Sequence, residues 1–86
     1  MPTVKLFANL RKLAGTKEVS IAGETLGAVL RQLAKTSPSL EILLLEKNEL
    51  RPHVIVTLNG HNTNELNTQV TEQDVIAVFP PIAGGA

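Results

Sequence analysis

Two stretches near the start of the chain alternate apolar and polar side chains, which is the period of a half-buried strand. The first is TVKLFANL, in which Val4, Leu6 and Ala8 fall on one predicted face and Lys5 and Phe7 on the other. The second is KEVSIA, and the intervening RKLAG predicts a turn. We expect the two strands to pair as a hairpin.

The clearest helix of the chain is predicted in GETLGAVLRQLAKTSP. Thr25 is well placed to cap its N-terminus, and Pro38 stops it. Its apolar side chains recur at intervals of three and four residues along one stripe: Leu26, Val29, Leu30, Leu33 and Ala34. Gly27 lies in the first turn, where glycine weakens a helix, and the sequence pattern does not account for it.

The second half of the chain contains two apolar strands. HVIVTLNG is rich in β-branched residues and closes on an Asn59–Gly60 turn signal. DVIAVF is the last strand, and Pro80 and Pro81 end it because proline cannot donate to a ladder. SLEILLLEKNEL is compatible with a second short helix or an irregular crossing, and the polar HNTNELNTQVTEQD allows one short edge strand.

The order of these elements, β-β-α-(short α)-β-(β)-β, predicts an α+β roll. One main helix would cover one face of a mixed sheet of four or five strands, with the first and last strands adjacent and parallel. We expect one domain at residues 1–79, followed by a flexible C-terminal tail, residues 80–86.

The uncovered face of this sheet would carry both aromatic residues of the chain. If Ile76 and Val78 point toward the helix, alternation leaves Phe79 on the outer face with Ile55, and Phe7 joins them from the first strand. A contiguous exposed apolar surface marks an interaction site, so these three residues are predicted to form a partner-binding patch. Alternatively, the segment SPSLEILLLEKNEL folds over this face and buries them.

Composition excludes several classes of function. The eight Lys and Arg residues balance the eight Asp and Glu residues, so the basic footprint typical of nucleic-acid or membrane-surface binding is absent. The absence of cysteine excludes disulfides, thiolate catalysis and Cys-ligated metals. The two histidines, His53 and His61, flank one predicted strand more than about 20 Å apart, so we expect no metal site.

The remaining sequence signals are weaker. The N-terminus lacks the pattern of a signal peptide, and no apolar run approaches the roughly 20 residues of a membrane span, so we expect a cytoplasmic protein. Arg11 and Lys12 follow the first strand. They either contact an acidic partner or belong to a solvated turn.

The tail combines a stiff spacer with residues that have almost no side chains. Pro80 and Pro81 favour an extended path, and Ala83, Gly84 and Gly85 are slim enough to enter a narrow channel. The tail has no thiol and no Ser–His pair, so the terminal carboxylate is the group left for chemistry. The tail is therefore predicted to be a handle by which an enzyme grips and activates the C-terminus, the alternative being an inert frayed terminus.

The segments KLFANLRKLAG, ETLGAVLRQL, LNG and TEQDVIAVFPPIAGG together resemble the ubiquitin-like sulfur carriers of the MoaD/ThiS family. The resemblance covers the whole chain, is closest to the small subunit of molybdopterin synthase and implies the β-grasp fold. It also implies that an E1-like enzyme adenylates Gly85 with ATP and that sulfur transfer gives a glycyl thiocarboxylate. Pro80, Pro81, Ala83 and Gly84 would then enter a channel of the sulfur-consuming partner.

On this resemblance the chain is a carrier without catalytic residues or a bound cofactor, and its sulfur goes to the large subunit of molybdopterin synthase. Ala86 departs from the family pattern, which ends in Gly–Gly. Ala86 is either removed by a metalloprotease that cleaves between Gly85 and Ala86, which we expect, or an addition to the natural chain. Sulfur carriage for cysteine or thiamine-type biosynthesis, a ubiquitin-like modifier that conjugates through Gly85, and a plain binding module are the alternatives.

Overall fold

The computed structural model describes residues 1–36, 38–47 and 49–80. Three helices and seven strands lie in these ranges, in the order β1 (Thr3–Leu6), α1 (Asn9–Ala14), β2 (Glu18–Ser20), α2 (Leu26–Ala34), α3 (Pro38–Leu44), β3 (Leu45–Glu46), β4 (Glu49–Leu50), β5 (Ile55–Leu58), β6 (His61–Asn62) and β7 (Val75–Phe79).

Five of the strands form one mixed sheet in the order β2-β1-β7-β5-β6. The central pair, β1 and β7, is parallel, with Val4 opposite Ile76, and the other pairs of this sheet are antiparallel. Strands β3 and β4 form a separate two-stranded hairpin. The predicted hairpin of the first two strands and the parallel pairing of the first and last strands are confirmed.

Helix α2 covers the inner face of this sheet as its apolar stripe predicts. Thr25 caps the helix, and its side-chain oxygen accepts a hydrogen bond from the Ala28 N–H at 3.1 Å. All five stripe residues are buried, in a core that is built from aliphatic side chains. The inner-face residues of three strands belong to the same core: Val4, Leu6, Val56, Ile76 and Val78.

The structure gives a reason for Gly27, which the sequence pattern left unexplained. The loop before β7 lies directly on the first turn of α2, and the Gly27 N–H donates to the Leu66 carbonyl at 2.8 Å. The Leu26 N–H likewise donates to the Thr68 carbonyl at 2.8 Å. A Cβ at position 27 would lie 3.0 Å from Leu66 Cβ, so glycine permits the close approach that satisfies two N–H groups of the helix start.

The predicted turn at RKLAG is wrong, because the chain forms helix α1 there. Leu10 is fully buried on this helix, and Gly15 ends it in the left-handed conformation with φ 78°. Ala8 is consequently not on the inner face with Val4 and Leu6. It is exposed, with φ 54°, at the junction between β1 and α1. A helix of six residues is too short to give a clear periodic pattern.

The ambiguous segment SLEILLLEKNEL forms helix α3 and the β3–β4 hairpin. Helix α3 packs against α2 and α1, and its Leu40 and Leu44 are fully buried in the same core as α2. The segment therefore lies on the inner side of the sheet. The alternative that it covers the outer face is wrong for the described part of the chain.

Candidate docking site

The three residues of the predicted patch lie together on the outer face of the sheet. Ile55 of β5 is directly opposite Phe79 of β7, and 39% of Ile55 is exposed. The rings of Phe7 and Phe79 stack with their centroids 4.4 Å apart and their planes inclined by 14°. Both rings are half-buried. We call this surface, formed by Phe7, Ile55 and Phe79, the docking patch.

The fold explains why two aromatic residues from opposite ends of the chain meet. Phe7 directly follows β1, and Phe79 is the last residue of β7, the parallel neighbour of β1. Parallel neighbours end at the same edge of a sheet, and alternation directs both rings to the same face. The docking patch therefore lies at the edge where the chain leaves the sheet toward its tail.

Arg11 adds a cation to the docking patch. Its guanidinium carbon lies 5.5 Å from the centroid of the Phe7 ring, within the range of a cation–π contact. Its Nε donates to the Leu6 carbonyl at 2.9 Å, which holds the side chain in place. The contact of Arg11 with Phe7 was not predicted from the sequence, because it depends on the bend at Ala8 and on helix α1, which begins at Asn9.

The opposite end of β7 is anchored by a polar network. The Asn59 side chain donates to Asp74 Oδ1 at 3.0 Å and accepts from the Val75 N–H at 2.9 Å, and the Thr71 N–H donates to Asp74 Oδ2 at 2.8 Å. The hydrogen bond from Asn59, followed by that from Thr71, lowers the pKa of Asp74 from its usual 3.8. The network ties the turn after β5 to the start of the strand that carries Phe79.

That turn has the conformation that its sequence predicts. Asn59 and Gly60 both have positive φ, 52° and 89°, as a type I′ hairpin turn requires. The short strand β6 after the turn confirms the predicted edge strand in the polar stretch.

Of the predicted tail residues, the structure describes Pro80, which is half-buried and directly follows Phe79. The remaining predicted site residues lie outside the described residues: Pro81, Ala83, Gly84, Gly85 and Ala86. Their assignments as channel-entering, sulfur-carrying and processing residues stay predictions.

Within residues 1–36, 38–47 and 49–80, no group of three or more His, Cys, Asp and Glu side chains could hold a metal ion. None of the helices in these ranges is long and apolar enough to cross a membrane.

A mixed sheet with parallel first and last strands, crossed on one face by a main helix, defines the chain as a ubiquitin-like β-grasp protein. Its sequence matches the ThiS family over residues 4–85. The chain belongs to the ThiS family, which confirms the resemblance noted in the sequence.

Relatives of the chain are small ubiquitin-like modifier or carrier proteins. The chain is 35% identical to small archaeal modifier protein 3 of Haloferax volcanii over 95% of this chain and 96% of that protein. The solution structure of small archaeal modifier protein 1 from Methanosarcina acetivorans superposes with a TM-score of 0.84 at 34% identity, covering 98% of this chain and 95% of that one.

A Pyrococcus furiosus protein assigned as molybdopterin converting factor, subunit 1, has a TM-score of 0.73. The comparison covers 93% of this chain and 95% of that one. Its 24% identity to this chain shows a shared fold and nothing further.

Proposed function

We propose that the protein is a sulfur carrier that is activated at the carboxylate of Gly85. The observation that carries this proposal is the position of the docking patch. The stacked Phe7 and Phe79 rings are partly exposed on the open face of the sheet, and Phe79 is followed directly by Pro80, where the predicted tail begins. An enzyme that binds the patch would receive the chain terminus next to its bound surface.

The proposed reaction begins with adenylation. The Gly85 carboxylate attacks the α-phosphate of ATP held by the activating enzyme, pyrophosphate leaves, and an acyl-adenylate forms. A sulfur nucleophile at the oxidation level of sulfide then displaces AMP to give the thiocarboxylate. This chain contributes the docking surface and the slim tail, while the enzyme contributes the nucleotide site. Use of ATP is the reason to expect the reaction in the cytoplasm.

Ala86 has to be removed before this reaction. With Ala86 present, the carboxylate lies one residue further along the chain, a displacement of roughly 3.3–3.6 Å. A misplacement of about 1 Å at a reacting centre can already reduce a rate by about a hundredfold. We therefore propose that a processing protease, of the metalloprotease class that the family resemblance implies, cleaves between Gly85 and Ala86.

The test is ATP–pyrophosphate exchange by the cognate activating enzyme, run side by side on the 86-residue form and the form that ends at Gly85. We expect exchange with the Gly85-ended form and a rate lower by about a hundredfold or more with Ala86 attached. A third form that ends at Gly84 is the matched control, because it shortens the tail by one residue instead of lengthening it. Equal exchange by all three forms would contradict the processing step.

A protein modifier is the second candidate function, and the 35% identity to small archaeal modifier protein 3 favours it. Carrier and modifier share the activated glycine and differ in product. Mass spectrometry of the Gly85-ended form after reaction distinguishes them: replacement of one oxygen by sulfur marks a carrier, and isopeptide adducts on target lysines mark a modifier. No exchange with any form, while the enzyme still binds the protein, would indicate a plain binding module.

The destination that we propose for the sulfur is molybdopterin, with the large subunit of molybdopterin synthase as the consuming enzyme. The FPPIAGG tail supports this proposal. Carriage for cysteine or thiamine-type biosynthesis is the competing destination. Incubation of the thiocarboxylate form with each candidate consuming enzyme, followed by measurement of sulfur lost from the carrier, decides among them.

A further inference from the structure

The formal charge of the chain is zero, but the charged residues are unevenly distributed along the sequence. Residues 1–22 contain four of the eight basic side chains, Lys5, Arg11, Lys12 and Lys17, and one of the eight acidic ones, Glu18. Their net charge is therefore +3, and residues 23–86 carry −3. This basic segment includes β1 and α1, which supply Phe7 and Arg11 to the docking patch and its rim.

Two of these cations lie on or beside the docking face. Lys5 is exposed on the outer face of β1, where it is paired in register with Glu18 of β2, an acidic residue on the same face. Arg11 is exposed beside the Phe7 ring. The ion pairs Met1–Glu72 and Arg51–Glu46 do not involve Arg11, and no carboxylate of the described residues lies within ion-pairing distance of it.

The Arg11 side chain is held in a fixed position with its charge available. The bond from Nε to the Leu6 carbonyl and the contact with the Phe7 ring orient the guanidinium plane. A guanidinium has five N–H donors in a rigid fork that fits a carboxylate. One of these donors is used within the described structure, which leaves the terminal nitrogens for an acceptor on a partner. Because the group is already oriented, it loses less conformational entropy on binding.

We propose that Arg11 binds a carboxylate side chain of the activating enzyme, at the rim of an apolar surface that covers Phe7, Ile55 and Phe79. This inference rests on the proposed function and specifies the chemistry of the partner surface. Because Arg11 is exposed at the rim of the docking patch, its pair with the carboxylate would stay accessible to solvent ions, and its contribution to binding would depend on ionic strength. The basic first segment of the chain would also accelerate association with an acidic surface.

Charge also argues against a second copy of this chain as the occupant. A two-fold contact through the docking patch would place the same surface on both sides. Such an interface would bring Lys5 and Arg11 of both copies into one contact, with Glu18 of each copy as the acidic residue supplied from residues 1–22. Like charges brought together across an interface oppose binding.

The experiment measures the affinity of the Gly85-ended protein for the activating enzyme by calorimetric titration at several salt concentrations. The variants are Arg11→Gln, which removes the charge, and Arg11→Lys, which retains it without the planar fork. Lys35→Gln is the matched control, because Lys35 is exposed at the end of α2, on the helix side of the sheet. The kcat and KM of ATP–pyrophosphate exchange are measured on the same proteins.

At an ionic strength of about 0.01 M, where the Debye length is about 30 Å, we expect Arg11→Gln to weaken binding about tenfold, near the lower end of the coupling found for close charge pairs. The defect should shrink toward about twofold near 1 M, where the Debye length is about 3 Å. Arg11→Lys should retain part of the salt-dependent affinity, and Lys35→Gln should match the unmodified protein. The defect in exchange should be in KM, with kcat preserved at saturating protein.

Several results would overturn the inference. An affinity loss in Arg11→Gln that is the same at every salt concentration would show that Arg11 only positions Phe7. An unchanged affinity, or a dimer of the free protein that Arg11→Gln dissociates, would also overturn it. Thermal melts of all variants separate these outcomes from unfolding. If the unmodified Gly85-ended protein supports no ATP–pyrophosphate exchange, the proposed function is refuted. This result does not depend on any Arg11 variant, so the two failures can be told apart.

Discussion

The two faces of the central sheet are built from the same strands and differ in how deeply their side chains are buried and in the type of side chain they carry. On the inner face, Val4, Ile76 and Val78 are completely buried beneath helices. The outer face of the same sheet carries Phe79, which is partly exposed, and Ile55, which is 39% exposed. The inner side chains are aliphatic, whereas both aromatic rings of the chain are on the outer side.

This difference separates stability from recognition within single strands. The inner face is filled by side chains that gain free energy by leaving water, in a core that tolerates little change of volume. On the outer face, the Phe7 and Phe79 rings contact each other, and Arg11 lies beside Phe7. Both rings are still accessible to a partner. Substitutions one residue apart on the same strand should therefore affect different measurements.

The largest effect on stability is expected at Ile76. Ile76→Ala removes a fully buried side chain and should lower the free energy of unfolding by about 2–5 kcal/mol, because the core cannot collapse completely into the cavity. Ile55→Ala is the matched control on the outer face, and its loss should stay below about 1 kcal/mol. Urea denaturation measures both. Equal losses would mean that Ile55 belongs to the core and would remove the distinction between the faces.

Substitutions in the docking patch should weaken binding more than they lower stability. Phe79→Ala and Phe7→Ala are each expected to weaken binding to the activating enzyme by about 2 kcal/mol or more, as truncation of an interface anchor commonly does. We expect these substitutions to lower stability less than Ile76→Ala does, because the rings are half-buried and their stacking contributes about 0.5–1.5 kcal/mol beyond area burial. Calorimetric titration and thermal melts compare the two effects. Unchanged affinity with a large fall in Tm would show that the rings serve the fold.

A smaller effect is expected at Gly27, where the helix covering the inner face meets the loop at Leu66. Helix propensity alone predicts that Gly27→Ala stabilises the protein by about 1 kcal/mol. The new Cβ would lie 3.0 Å from Leu66 Cβ and 3.1 Å from the Leu66 carbonyl oxygen. Since overpacking costs about 1–3 kcal/mol, we expect a net loss of about 1 kcal/mol in denaturant unfolding. A gain in stability would mean that the loop moves without cost.

The smallest expected effect is on the pH dependence of Tm and concerns Asp74. Its hydrogen bonds anchor the start of β7, which contributes residues to both faces of the sheet. Its pKa is lower in the folded state than the usual 3.8, mainly because Asn59 donates to it. The ionised form therefore stabilises the fold above pH 3.8, and this contribution is lost as the pH falls through the lowered pKa. The Tm of Asp74→Asn should consequently fall less steeply below pH 3.8 than that of the unmodified protein. Parallel Tm profiles would contradict this role.

The sequence pattern was sufficient to predict the sheet face of Phe7, Ile55 and Phe79 and the apolar stripe of α2. Both follow from local geometry: side chains alternate every residue in a strand and recur every 3.6 residues in a helix. The placement of Phe7, Ile55 and Phe79 on one side could therefore be predicted before any contact was known. The same reasoning failed at α1, because six residues are too few to show a helical period and Ala8 provides no capping side chain.

The tertiary structure was needed to show which side chains touch. The sequence predicts the parallel pairing of β1 with β7, but the stacking of Phe7 on Phe79 and the reason for Gly27, which lies in a loop on another part of the chain, follow from packing. The position of α3 on the inner side was also undetermined by its pattern, since apolar residues alone do not say which face they cover. Side-chain packing depends on the whole chain closing around one core, which no local period encodes.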